Sequence, residues 1–340
     1  MKKIWVLFTA FALVLAFSFP AAAAVWDFYG SARIATFYQD YDEEAGDKQD
    51  LQWDLQSNSR LGANVKNGAI GGAFEYGTGV NLRKLYGTWN FGGGELLVGQ
   101  TYTPMTVFNS NQVFDADNGL IGFGALYTGR HPMIQLKTGG LKVALVNVHA
   151  DTDLGTDGGT EKTLPKLELA YGLNAGPVGL TFVGGYQTYA ADPNGVDENV
   201  SSYIGGLNAK FGMGPVTLHL DGWYGQNVGQ YGFSNHGADE AVLDGSSVED
   251  TNSYGGVFVV NYKASSMVSV EVGAGYVNNE SDVTGVEDDD GMSYYGNAMI
   301  TLAPGFFIVP EVGIFDFGDD TAGADEGKLT YVGAKWQINF

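Results

Sequence analysis

Apolar and polar residues alternate with a period of two along almost the whole chain. Between Leu51 and Lys66 the odd positions are mostly apolar and the even positions almost wholly polar, and the same split recurs at 216–224 and 268–276. Successive side chains of a strand point to opposite faces, so this pattern predicts strands with one apolar and one polar face. Helical periodicity is nearly absent, and an all-β fold is therefore expected.

The alternation divides the chain into sixteen segments. Most are roughly 10–14 residues long, whereas strands of soluble proteins average about five or six and tilted strands that cross a bilayer need roughly nine to eleven. The segments centre near residues 27–39, 51–66, 69–76, 80–91, 94–101, 129–138, 141–150, 163–173, 177–189, 201–212, 215–226, 252–263, 266–278, 292–303, 305–316 and 327–340.

The connections between these segments alternate between short and long. The short ones, such as "NGA", "GGG" and "APG", contain the Gly or Pro that tight turns require, and the longer ones hold most of the acidic residues. This asymmetry and the even strand count predict a transmembrane antiparallel up-and-down β-barrel of sixteen strands. A soluble sandwich also alternates, but long strands and unequal connections do not favour it.

The opening stretch "MKKIWVLFTAFALVLAFSFPAAAA" has two lysines, an apolar run and then four alanines. These features predict a signal peptide over residues 1–24, cleaved on export, followed by one barrel domain over 25–340. An N-terminal membrane anchor is the alternative. The chain has no cysteine, which excludes disulfides and thiolate metal sites. Its formal charge of −22 argues against nucleic acid as a partner.

The polar, inward face of the predicted barrel must be in contact with water. Its inward positions include charged residues such as Arg33, Arg60, Glu168 and Glu311, which are costly to bury in a dry interior. Barrels of about sixteen strands leave an aqueous lumen, whereas eight strands are filled by side chains. The sequence therefore predicts a water-filled channel for small hydrophilic solutes and ions. The acidic loops at its mouth are expected to favour cations at low salt.

One connection, residues 103–129, differs from the others in composition. It is rich in Phe, Met, Leu and Ile, and its only charged residues are Asp115 and Asp117. A loop exposed to solvent does not carry so much apolar surface, so this third extracellular loop is expected to fold inward against the barrel wall.

All four arginines of the chain lie on or beside the strands that frame this loop: Arg33, Arg60, Arg83 and Arg130. Facing Asp115 and Asp117, they would set up a transverse field across a narrow aqueous constriction. Chance clustering of surface arginines is the alternative interpretation. Arg83 and Lys84 have opposite parity, and the sequence leaves open which of them faces the lumen.

Several stretches resemble the trimeric porins of the Gram-negative outer membrane: "VWDFYGSARIATFY", "SRLGANVK", "LRKLYGTWNFGGGELLVGQTYTP" and "YTGRHPMIQL". The overall look is most similar to the homotrimeric porins of sulfate-reducing bacteria. The resemblance implies a general diffusion porin, homotrimeric and integral in the outer membrane, in contact with lipid and lipopolysaccharide. It also implies constriction arginines at Arg60, Arg83 and Arg130, with the acidic side at Asp115 and Asp117.

The chain ends with "KLTYVGAKWQINF", which alternates up to its last residue. A closed barrel has no edges, so this strand is expected to pair with the first one, near Phe28–Tyr38. Its apolar set, including Trp336, Ile338 and Phe340, is expected to face lipid. By resemblance, this ending is also the signal that the barrel-assembly machinery reads.

Two other functions are alternatives to general diffusion. A substrate-specific channel for sugars or organic acids stays open, because the inward aromatics Tyr29, Trp223, Tyr295 and Phe307 would suit a stacking path. An enzyme would need a nucleophile with a positioned base, and none stands out. The expectation is a channel, not an enzyme.

No cofactor is expected, with one open alternative. The acidic run Glu287, Asp288, Asp289 and Asp290 supplies hard oxygen ligands that suit loosely bound Ca²⁺ or Mg²⁺. It lacks the fixed spacing of a dedicated calcium loop, and a solvated acidic rim is the other interpretation.

Overall fold

The computed structural model describes residues 24–42, 48–149, 154, 160–191, 198–245 and 247–340, so the predicted signal peptide lies almost entirely outside the described residues. In these ranges sixteen antiparallel wall strands form one closed sheet, as predicted. The strands are β1 Val25–Asp42, β2 Lys48–Leu55 with Arg60–Asn67, β3 Ile70–Gly77, β4 Leu82–Asn90, β5 Glu95–Tyr102, β6 Arg130–Thr138, β7 Leu141–Val146, β8 Thr160–Glu161 with Lys166–Ala175, β9 Val178–Ala191, β10 Glu198–Met213, β11 Val216–Gln226, β12 Thr251–Lys263, β13 Val268–Ser281, β14 Asp289–Ala303, β15 Phe306–Asp316 and β16 Lys328–Asn339.

Two wall strands are interrupted but occupy one place each in the sheet. Both parts of β2 pair with β1: Lys48–Leu55 lies opposite residues 34–41, and Arg60–Lys66 lies opposite residues 25–31. The two parts of β8 both pair with β9. Each pair of segments therefore counts as a single strand of the wall.

The barrel closes between its first and last strands. The β1–β16 register runs from Ser31 opposite Asn339 to Asp42 opposite Lys328, which confirms the predicted pairing. Beyond the last ladder residue, Phe340 exchanges two backbone hydrogen bonds with Gly30, at 2.7 and 3.0 Å. Along β16 the side chains of Val332, Trp336 and Ile338 are exposed on the outer face. The closed ladder leaves no strand edge unpaired at this seam.

The connections differ at the two ends of the barrel, as the sequence predicts. Tight turns join alternate strands at one end, whereas the connections at 103–129, 227–250 and 317–327 lie at the other. The 103–129 connection contains the short turn α1 (Phe114–Asp117), in which Asp115 and Ala116 have left-handed, non-helical dihedrals. The 227–250 connection contains α2 (Val228–Tyr231) and a small hairpin of Val242–Asp244 with Ser247–Glu249. Among the described residues, no helix has the length and apolarity needed to span a membrane.

Buried apolar side chains gather where the 103–129 segment meets the inward faces of the wall strands. One cluster joins Phe114 of this segment to Phe37 of β1 and Tyr331 of β16. The rings of Phe114 and Tyr331 stack with centroids 4.0 Å apart. A second cluster joins Met105 to Trp223 of β11 and their neighbours. The apolar composition of the segment is thus explained by burial against the wall.

Candidate pore constriction

Buried carboxylates of the wall hold the 103–129 segment by accepting its N–H groups. Glu311 on β15 accepts the backbone N–H groups of Val113 and Phe114, at 2.7 and 2.8 Å. Glu271 on β13 accepts the backbone N–H and the side-chain amide of Asn111, both at 2.6 Å. Charge-assisted hydrogen bonds of this kind compensate for the burial of the carboxylates, so these acids fix the backbone of the segment.

Two further carboxylates hold the earlier part of the segment. The carboxylate of Asp221 on β11 accepts hydrogen bonds from the side-chain amides of Asn109, at 2.6 Å, and of Asn208 on β10, at 2.8 Å. Glu168 on β8 accepts the backbone N–H of Met105 at 3.3 Å. The contacts advance along the wall in chain order. Residue 105 contacts β8, residue 109 contacts β10 and β11, residue 111 contacts β13, and residue 113 contacts β15. The segment therefore follows the wall around the barrel.

The turn α1 brings Asp117 against basic side chains of the seam. Its carboxylate accepts hydrogen bonds from Arg33 of β1, from Lys335 of β16 at 2.8 Å and from Asn58 at 2.8 Å. Asp115, Ala116 and Asp117 all have left-handed backbone conformations, with φ of 47°, 59° and 62°. Such residues cost about 1–3 kcal/mol each and persist only where surrounding contacts hold them. The ion pairs of Asp117 supply that restraint.

A second cluster of charges centres on Glu75 of β3, whose side chain is buried. Its carboxylate lies 2.8 Å from Arg83 Nε, 3.4 Å from Lys84 Nζ and 3.7 Å from Arg60 Nη1. It also accepts the phenolic O–H of Tyr29 at 2.9 Å. One carboxylate therefore orders three cationic side chains from β2 and β4.

A β-bulge explains why Arg83 and Lys84 both reach this carboxylate. The β3–β4 register pairs Glu75 with Lys84 but pairs Tyr76 with Leu82, so Arg83 is the extra residue. A bulge places two residues of one strand opposite one residue of its partner and re-aims their side chains. Strict parity, which would turn one of the two away from the lumen, therefore fails at this position.

Arg130 stands at the start of β6, opposite Tyr102 of β5. Its guanidinium donates a hydrogen bond to the Tyr102 hydroxyl at 2.7 Å and lies 4.9 Å from the centre of that ring. None of the ion pairs found in the described part of the chain involves Arg130. Its charge is therefore not balanced by a carboxylate.

A cavity of about 520 Å³ lies between the 103–129 segment and the wall strands. Its charged lining consists of four cationic side chains, Arg60, Arg83, Arg130 and Lys335, and one carboxylate, Asp117. Glu271 and Glu311 do not line this space, because they are buried against the segment. The narrow space beside the segment is therefore basic.

The structure brings some of the predicted constriction residues together and separates others. Arg60, Arg83 and Arg130 line one cavity. Arg33 does not line it but forms an ion pair with Asp117, which does. Asp117 contacts the basic side itself, and Asp115 is exposed. Sequence reasoning does not assign Glu75 or Lys335 to the constriction, and it leaves open whether Arg83 or Lys84 faces the lumen. Glu75 carries a usable signal, because it lies at an inward position in the alternation of β3.

The acidic residues 287–290, which run into the start of β14, do not gather at one point. Glu287 and Asp288 are exposed, whereas Asp289 is buried. In the described ranges, Asp289 belongs to a group with His236 and Glu326. At the seam, Trp336 and Ile338 lie on the outer face of β16, and Phe340 lies at its end beside Gly30.

Comparison with known proteins gives a likeness of structure. No family model and no curated protein sequence matches the chain. Among solved structures, the outer membrane channel DcaP of Acinetobacter baumannii matches with a TM-score of 0.73 and 16% identity, over 94% of this chain and 98% of that one. The chain has the outer-membrane porin fold.

Two further porin structures support this assignment. The anion-selective porin from Comamonas acidovorans matches with a TM-score of 0.61 and 13% identity, over 94% of this chain and 100% of that one. OmpF of Salmonella typhi, in complex with daunomycin, matches with a TM-score of 0.58 and 12% identity, over 92% and 97%. At these identities the likeness establishes the porin fold.

Proposed function

We propose that this protein is an integral channel of the Gram-negative outer membrane, through which small hydrophilic solutes and ions diffuse passively. The 103–129 segment is its inward-folded third extracellular loop and narrows the lumen. The contacts of this segment with β8, β10, β11, β13 and β15 support the proposal, because they run along inward-facing side chains. In these contacts the wall carboxylates position the segment.

We further propose that the constriction favours small anionic solutes. The observation that carries this is the charge balance of the cavity lining: four cationic side chains stand against one carboxylate. The cations are Arg60, Arg83, Arg130 and Lys335, and the carboxylate is Asp117.

The position of these charges matters more than the net charge of the chain. Low-dielectric walls focus the field in a narrow aqueous passage, so charges at the constriction act strongly on a passing ion. Acidic groups on wide loops act through water and are screened beyond roughly 10 Å at 0.1 M salt. The constriction therefore outweighs the acidic rim, in contrast to the cation preference expected from the sequence. A solved neighbour of the same fold is an anion-selective porin.

Three of the four inward aromatics do not offer a stacking path for sugars. Tyr29 donates to Glu75, Trp223 donates to the carbonyl oxygen of Gly124 at 2.9 Å, and Tyr295 donates to Glu271 at 2.6 Å. Their polar ends are used to hold charged groups or the 103–129 segment. General diffusion with a charge preference thus fits the geometry better than a sugar-specific channel.

Liposome swelling tests both parts of the proposal. Purified protein is reconstituted and challenged with gluconate, glucose and glucosamine, which have similar size but carry negative, no and positive charge. We expect swelling with all three, fastest for gluconate. If none of the three solutes causes swelling, the proposed channel is overturned. If the three rates are equal, or if glucosamine enters faster than gluconate, only the anion preference is overturned.

The assembly is proposed to be a homotrimer, in keeping with the porin resemblance, and to reach the membrane through the barrel-assembly machinery. Crosslinking of the protein in its native membrane, followed by denaturing electrophoresis, tests the trimer. A ladder that ends at three chains is expected. A ladder that stops at one or two chains would contradict it.

A further inference from the structure

Two connections and the start of β14, all at the same end of the barrel, bring one histidine and two carboxylates together. His236 comes from the 227–250 connection, Asp289 is the first residue of β14, and Glu326 comes from the 317–327 connection. One nitrogen or oxygen atom of each residue lies within 4.8 Å of the others. These residues are 37 to 90 positions apart in sequence, so only the closed barrel makes them neighbours.

The imidazole of His236 is surrounded by oxygen atoms. Its Nε2 atom lies 3.0 Å from the backbone oxygen of Phe317 and 3.7 Å from Oε2 of Glu326. The carboxylate of Asp289 completes the group. One nitrogen donor and oxygen donors from three other residues therefore converge on one small volume.

Asp289 supplies an independent indication that this volume holds a cation. The residue is 5% exposed, and its Oδ2 atom accepts the backbone N–H of Ala238 at 2.8 Å. Its Oδ1 atom is buried and has no hydrogen-bond partner. This oxygen faces Gly237, the neighbour of His236, where a Cβ atom would come within 2.1 Å of it. Leaving a buried carboxylate oxygen unpaired is costly, and a metal ion would satisfy it.

Neighbouring groups hold these ligands in place. The ring of His236 stacks on Phe123 with centroids 5.2 Å apart and lies 5.4 Å from the ring of Phe317. The side-chain amide of Asn279 donates to the backbone oxygens of His236 and Asp289, at 2.8 and 3.2 Å. The imidazole and the carboxylate are thus fixed by packing and by backbone contacts, as supporting shells of metal ligands are.

The charges in this group also call for a cation. Two carboxylates share the site with one imidazole. A divalent cation would offset the two carboxylates and would give the unpaired oxygen of Asp289 a partner.

We propose that His236, Asp289 and Glu326 form a binding site for a divalent transition metal of the zinc class, with the Phe317 carbonyl as a fourth donor. Imidazole combined with carboxylate suits Zn²⁺, whereas sites made only of oxygen suit Ca²⁺ or Mg²⁺. Zinc ligands lie about 2.0–2.2 Å from the metal, so binding requires the three side chains to close by roughly 1 Å. The bound metal ties two loops of the barrel mouth to the start of β14.

Zinc titration of the intact purified protein tests this site. Protein stripped with EDTA and dialysed is titrated with Zn²⁺ alone by calorimetry, in parallel with Ca²⁺ and Mg²⁺. We expect one Zn²⁺ per chain and no comparable binding of Ca²⁺ or Mg²⁺. His236→Gln and Glu326→Gln are each expected to weaken Zn²⁺ binding roughly tenfold or more, because each removes one of three protein side-chain ligands.

Glu287→Gln is the matched control, since it removes an exposed carboxylate from the same rim. It is expected to leave the zinc affinity unchanged. Circular dichroism and heat-modifiable migration confirm that each variant forms the barrel. Absence of zinc binding to the native protein would overturn the proposal, as would equal affinity of His236→Gln. A loss of affinity in Glu287→Gln as large as in Glu326→Gln would also overturn it, because it would indicate diffuse binding to the rim.

Discussion

Replacement of Glu75 by Gln removes the one carboxylate that orders three cationic side chains. Arg83, Lys84 and Arg60 lie 2.8, 3.4 and 3.7 Å from its oxygens. At an effective dielectric constant of about 20, the Coulomb attraction in each of these charge pairs is about 4–6 kcal/mol, before the cost of desolvation is subtracted. Removing one partner of a buried ion pair typically costs about 3–5 kcal/mol overall.

The structure places the expected loss near the lower end of this range. The side chains of Arg60 and Lys84 are 20% and 21% exposed, so water partly screens their unpaired charges, whereas the side chain of Arg83 is 8% exposed. Because isosteric Gln keeps some hydrogen bonding, we expect Glu75→Gln to lower the free energy of unfolding by about 3 kcal/mol. The extra positive charge should also increase the preference for anions.

Urea unfolding in detergent micelles, followed by tryptophan fluorescence, measures this loss. Asp115→Asn is the matched control, because it removes a carboxylate from the same region at an exposed position. A surface change of that kind is expected to stay within about 0.5 kcal/mol. The reasoning is refuted if Glu75→Gln is as stable as the native protein, or if both variants lose the same amount.

Three further predictions concern the 103–129 segment, the outer loops and the seam. A Cβ atom at Gly275 would lie 1.9 Å from the carbonyl oxygen of Phe123 in the 103–129 segment, whereas a Cβ atom at Gly222 would meet nothing within 4 Å. Gly275→Ala should therefore change the single-channel conductance, and Gly222→Ala should leave it unchanged. Burial, reinforced by Glu240, raises the pKa of Asp239 to about 8 from an ordinary value of 3.8. The protonated carboxyl of Asp239 therefore stabilises the loop fully below pH 3.8, and this contribution is lost as the pH rises to about 8. Hydrogen-exchange protection of residues 227–250 should fall over that range in the native protein. In Asp239→Asn it should not fall. Deletion of Phe340 removes two backbone hydrogen bonds to Gly30 and should reduce the yield of assembled barrel, seen by heat-modifiable migration, while the conductance of the assembled fraction stays unchanged.

The sequence alone was sufficient for the barrel because its signals are local and repeated. Period-two alternation marks each strand, and turn residues mark one end of each hairpin, so sixteen strands and the β1–β16 seam follow without knowledge of long-range contacts. The apolar composition of the 103–129 segment likewise predicted burial. The structure shows where this burial occurs, against Phe37, Trp223 and Tyr331.

The details of the constriction depend on contacts that the sequence does not encode locally. The bulge at Arg83 arises from the pairing of β3 with β4, and parity within β4 alone gives no sign of it. Asp117 was expected opposite the arginines, and its contacts with Arg33 and Lys335 depend on where the segment ends its path along the wall. His236 and Glu326 lie in two separate loops and Asp289 begins β14, so only the folded barrel reveals this group.

The zero-current potential of single channels in a planar bilayer tests the proposed basic constriction most directly. Purified protein is recorded across a tenfold gradient of KCl at low total salt, where screening is weakest. Discrete conductance steps are expected, with a zero-current potential displaced toward the chloride equilibrium potential, and with a smaller displacement in Arg130→Gln. A potential displaced toward the potassium equilibrium value would contradict the proposed anion preference, and absence of conductance steps would contradict the channel itself.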